Sequence, residues 1–179
     1  MRWIGGVDRA LVGVGATPVE RGVGYGTGAA GAGIAVAGLP AGLAPWAYGL
    51  VALVAFDLFG GAAVNATATA KRQFHAPHRT TRHHLAFVAA HGQPFLLALA
   101  VPALAWSTAA AVYALALAGA VAVTAAPAAA RRPAAFGVTV LAIAATPTTP
   151  PEVAWLAPVL YVKLLLGHLL PEDAPESHG

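Results

Sequence analysis

Apolar residues run through this chain in long blocks, and the polar residues that interrupt them gather in a few short clusters. The blocks predict helices over residues 22–39, 46–74, 83–105, 107–126, 134–145 and 152–170, most of them close to the roughly 20 residues that cross a bilayer. Turn residues mark the breaks. Proline closes residues 1–21 at Pro18, opens the second block at Pro40 and Pro45, and interrupts the third at Pro94, beside Gly92. Residues 1–21, which mix apolar positions with Arg2, Asp8, Arg9, Glu20 and Arg21, are expected to lie at an interface. Residues 71–83 form a basic, histidine-rich loop, and residues 171–179 an acidic tail with Glu172, Asp173 and Glu176.

Composition turns these blocks into a class. The chain is 58% hydrophobic and 9% charged, with a mean hydropathy of +0.69, whereas soluble domains carry about 25% charged residues. The expected fold is all-α, a polytopic integral membrane helical bundle forming one domain of about six transmembrane helices. A five-helix version, in which residues 22–39 do not cross, ranks second. With six crossings, Arg2, Arg9 and Arg21, the group from Lys71 to Arg82, and Arg131 with Arg132 all fall on one side. Both termini are then cytoplasmic, and a bacterial plasma membrane is the expected location. The basic residues sit in patches beside apolar blocks, which suits membrane lipids as partners and not nucleic acid.

The first predicted helix spaces small residues four apart, at Gly24, Gly28 and Ala32 and again at Ala29, Gly33 and Ala37. Such a surface admits a close neighbour, and self-association into a homo-oligomer is expected to use it. The same helix contains Gly26-Thr27-Gly28-Ala29-Ala30-Gly31, a dinucleotide-type spacing with no strand before it, so no nucleotide site is read there.

Asp57 and Lys163 are the charges inside predicted helices. Each costs about 2.5–3.5 kcal/mol at a bilayer centre, and both lie about 16 Å from the same end, so a pair between the second and sixth helices is expected. Five of the seven histidines, His75, His78, His83, His84 and His91, fall between residues 57 and 91. His84 and His91 are seven apart and share a helix face, and Asn65, His91, Gln93, Lys163 and His168 are expected to enclose a pocket.

With no cysteine, metal chemistry falls to imidazole and carboxylate, and His75, His84 and His91 are the candidate ligands for a divalent transition metal such as Zn or Fe, with haem ranked behind. The spacing resembles the HxxH and HH clusters of membrane desaturases and hydroxylases. It departs from them in offering one cluster where they use several, with few carboxylates nearby, and no family follows from it. The functional expectation is a small membrane-embedded enzyme acting on a lipidic or amphiphilic substrate at the cytoplasmic interface, with His84, His91, Asn65, Lys163 and Asp57 as its site. A proton-coupled transporter or channel using Asp57, Lys163 and His91 ranks next, followed by a structural or partner-binding subunit.

Overall fold

A computed structural model describes residues 13–171 of the 179, so Arg2, Asp8, Arg9 and the acidic tail lie outside the described residues. All regular structure among the described residues is helical. In chain order the helices are α1 (Pro18–Ala37), α2 (Pro45–Asn65), α3 (Ala68–Phe74), α4 (Thr81–Ala89), α5 (Gln93–Ala100), α6 (Trp106–Ala125), α7 (Ala128–Ala145) and α8 (Leu156–Tyr161). A short 3₁₀ turn, Pro151–Val153, precedes α8, which continues as a π-helix over Val162–His168. Among the described residues, three helices are long and apolar enough to cross a membrane: α2, α6 and α7.

Several boundaries differ from the expected ones, each for a local reason. Pro18 opens α1 instead of ending a helix, because proline lacks only an N–H that the first turn leaves unbonded anyway. Thr17 caps the same end: its Oγ1 accepts from the Glu20 N–H, and the Glu20 carboxylate accepts from the Thr17 N–H at 2.7 Å. The expected long second helix stops at Asn65. Thr67 Oγ1 donates to the Val64 carbonyl and accepts from the Ala70 N–H, closing one helix and starting the next. The third block breaks at residues 90–92, before Pro94. Arg131, Arg132 and Pro133, expected in a loop, lie within the first turns of α7.

α1 lies antiparallel on α2, with Gly24, Gly28 and Gly31 turned inward. A Cβ at these positions would meet Val64, Phe56 and Phe59, so the small residues let two helices of one chain approach. Gly26 and Gly33 stay on the outside of the helix with nothing near them.

The last helix occupies the centre. It touches α2, α6 and α7, and Leu160, Tyr161, Leu164, Leu165 and His168 are fully buried. Tyr161 anchors it, its hydroxyl lying 3.1 Å from Thr146 Oγ1 and 3.3 Å from the Val112 carbonyl. Outside this core, Ile34, Leu53, Leu99, Val121, Val140 and Leu141 stay exposed, an apolar perimeter of the kind a lipid-facing surface requires. Among the described residues, Arg21, Lys71, Arg72, Arg79, Arg82, Arg131 and Arg132 gather at one end of the bundle. The links at residues 38–44, 101–105 and 146–150 form the other end and carry no Lys or Arg.

Candidate functional site

The last helix carries two polar clusters, five residues apart in sequence and different in kind. At the first, Lys163 Nζ pairs with Asp57 Oδ2 at 2.8 Å and lies 3.2 Å from the Asp57 carbonyl. Gln93 Nε2 donates to the same Oδ2 at 2.9 Å. The expected pair between these charges is therefore present, with Gln93 of α5 as a third member. Its two ends differ in access, since the Lys163 side chain is 3% exposed and that of Asp57 41%.

Local sequence explains how the lysine reaches its partner. The π-helical widening places Lys163 against α2, and Asn65 Nδ2 donates to the Lys163 carbonyl at 3.3 Å, engaging an oxygen at the widened turn. Gly61 supplies the space. A Cβ there would stand 2.5 Å from Lys163 Cε and 2.8 Å from Nζ, so only glycine lets the side chain lie flat across α2.

Asp57 opens into a cleft between α1 and α2 with a volume of about 170 Å³. Its walls include Gly24, Tyr25, Leu53, Phe56 and Val64, and among the described residues the Asp57 carboxylate is the one charge in them. Tyr25 and Phe56 stack across the cleft with ring centroids 6.3 Å apart. His91 is the next ionisable group, within electrostatic reach of both Lys163 and Asp57. Its Nδ1 donates to the Phe87 carbonyl at 2.7 Å.

The second cluster lies at the basic end. His84 Nδ1 is 3.1 Å from His168 Nε2, the His75 and His84 rings stack at 4.8 Å, and His75 Nε2 donates to the His168 carbonyl at 3.0 Å. A contact between two ring nitrogens requires that one of them accept, so at least one of His84 and His168 is neutral while it lasts. His168 is 2% exposed and its Nδ1 has no partner. Phe74 and Phe87 pack on it, Phe87 at 3.9 Å between centroids. Phe87 also contacts the His91 ring, at 4.5 Å, which puts an apolar side chain between the two clusters.

Much of this second cluster does structural work. Lys71 Nζ donates to the Gly167 and Leu170 carbonyls, and with His75 it covers the C-terminal end of the last helix, where unpaired carbonyls attract cations. Burial pushes the His75 imidazole below its ordinary value; the bond to the His168 carbonyl opposes this and the charges of Lys71 and Arg131 add to it. His83 is a capping residue, its Nδ1 accepting from the Thr80 N–H at 3.1 Å.

No group of three His, Asp or Glu side chains placed to hold a metal ion occurs among the described residues. The expected ligands are divided: His84 and His75 join His168, while His91, displaced by the break at residues 90–92, bonds its own helix. The expected pocket residues likewise pack against one another, Asn65 on Lys163, Gln93 on Asp57 and His168 on His84. Comparison with protein-family models, curated proteins and solved structures finds no match. The chemistry of the site therefore rests on the residues themselves. Asp57, Lys163 and Asn65 stand out in the sequence, whereas the helix-capping Lys71 and the partitioning Phe87 do not. Their signals are a basic residue and an aromatic ring, both too common to single out.

Proposed function

We propose that this chain is a small membrane-embedded carrier that exchanges a proton for a lipophilic cation at the Asp57–Lys163 pair. The observation that carries the reading is the half-exposed Asp57 carboxylate, held by a buried lysine and facing an apolar cleft. Intramembrane ionisable groups are expensive and mark ion and proton pathways. In the resting site the carboxylate and ammonium charges cancel. A cation entering between Tyr25 and Phe56 takes the ammonium's place on Asp57, and Lys163 gives up one proton, so the charge of the site is unchanged. His91, within electrostatic reach of both Lys163 and Asp57, relays that proton out of the site. The aromatic walls add cation–π attraction.

The same proposal includes six crossings: residues 22–37 of α1, then α2, the broken α4–α5 pass, α6, α7 and the last helix. The basic end faces the cytoplasm, supported by the segregation of Lys and Arg. Trp46 and Trp106, both exposed at the other end, are placed as interfacial anchors.

Proteoliposomes test the exchange. An inward gradient of tetraphenylphosphonium should drive proton release from wild-type vesicles, and Asp57→Asn should abolish it. Equal proton movement in wild-type and Asp57→Asn vesicles overturns the carrier. An interfacial acid–base enzyme is the second reading, favoured by the buried, unpartnered Nδ1 of His168. It expects His84→Ala to remove activity while proton exchange persists.

A further inference from the structure

Away from the Asp57 cleft, a second groove runs along the outer seam between α2 and the last helix. At the basic end it opens as a cavity of about 220 Å³ whose walls include Lys71, Arg132, Phe136 and Val162. Further along the seam lies an apolar cavity of about 300 Å³, walled by Phe59, Ala62, Val159 and Val162 among others. Ala62 and Val162 belong to both, so the two are continuous. The result is a groove with cations at one end and hydrocarbon along its length.

We infer that this groove is a binding site for one anionic phospholipid, with the phosphate at Arg132 and an acyl chain along Val162 and Phe59. The charge sits at the end of the bundle where the other cations gather, so a lipid seated there keeps its headgroup level with them and its chain beside the core. Lys71 is buried and engaged by the Gly167 and Leu170 carbonyls, whose partial negative charge offsets its own. Arg132 is the exposed cation of the pair, and its guanidinium binds phosphate through two donors at once. Phe136, 48% exposed beside it, and Val162, 41% exposed at the junction of the cavities, provide the apolar surface that a free anion does not need. An uncharged groove would accept any lipid; this one selects by headgroup charge. The site involves neither Asp57 nor the histidines, so it stands or falls apart from carriage.

Native mass spectrometry of the detergent-solubilised full chain, titrated with phosphatidylglycerol, phosphatidylcholine or inorganic phosphate, tests the site. One phosphatidylglycerol should bind per chain, tighter than phosphatidylcholine by about fivefold, the scale of one surface cation. Arg132→Gln should remove that preference. Val162→Trp, which fills the junction from an exposed position, should weaken both lipids. Arg79→Gln with Arg82→Gln, cations away from the groove, should change neither. Helical circular dichroism and the midpoint of thermal unfolding confirm that each variant folds. Equal binding of the two lipids overturns the inference. So does loss of preference in the Arg79/Arg82 variant as large as in Arg132→Gln, or saturation by inorganic phosphate that displaces phosphatidylglycerol.

Discussion

At Lys163 the last helix meets α2 through a charged pair whose carboxylate opens into a cleft. Five residues on, at His168, it meets α3 and α4 through imidazoles packed among phenylalanine rings and backbone carbonyls. Histidine is abundant in this chain and charge is scarce, so the second region attracts the eye in the sequence. The structure reverses their rank. Neutral imidazole is amphipathic and packs on aromatic rings at little cost, whereas an ammonium buried to 3% requires a partner.

The largest effect that would break this contrast comes from removing one end of the pair. Asp57→Ala strands the buried Lys163 and should cost about 3–5 kcal/mol in unfolding free energy. Lys163→Met strands a carboxylate that still reaches the cleft, and should cost less. Combining Asp57→Asn with Lys163→Met should recover most of the loss. Denaturant unfolding in detergent micelles measures all three, and equal costs for the two single variants would remove the asymmetry. Gly61→Ala comes next. The added methyl meets Lys163 and should cost about 1–3 kcal/mol, and the double variant with Lys163→Met should show no such penalty.

At the basic end the effects are smaller. Lys71→Met uncovers the carbonyls of Gly167 and Leu170 and should cost up to about 2 kcal/mol, visible as faster amide exchange in the last turn. His75 titrates below its ordinary 6.5, so the unfolded chain binds more protons once the pH drops through that value. Stability should fall as the solution is acidified past it, and His75→Gln should flatten that limb. The smallest effect belongs to Glu20. Hydrogen bonds from Thr17 and then Thr69 hold its carboxyl down to about 2. Its contribution is present above 4.5, the ordinary carboxyl value, and is lost as the pH falls from there toward 2. Glu20→Gln should remove this acid limb of the unfolding curve.

The sequence showed the helical blocks, the apolar class and the Asp57–Lys163 pairing, because long apolar runs and isolated charges are one-dimensional signals. It read the first-helix glycines as a surface for another copy. Gly24, Gly28 and Gly31 face α2 of the same chain, while Ala29, Gly33 and Ala37 lie exposed on the outer face, since a small-residue stripe does not say whose helix it admits. The π-helix was not legible either. At its widened turn Asn65 meets the Lys163 carbonyl, a contact 98 residues apart in sequence. His91 was expected beside His84 from seven-residue spacing, and that spacing holds only in an unbroken helix. The break at residues 90–92 turned it toward Phe87.

Reaction of the membrane-reconstituted protein with a lipophilic carbodiimide, which adds to a protonated carboxyl from an apolar medium, tests the central claim most directly. Peptide mass spectrometry reads where it adds. Held as a carboxylate by Lys163, Asp57 should stay unmodified in the wild type and react in Lys163→Met, where tetraphenylphosphonium in excess should slow the reaction. An Asp57 that reacts as fast in the wild type as in Lys163→Met, or equally fast in Lys163→Met with and without the cation, contradicts the carrier.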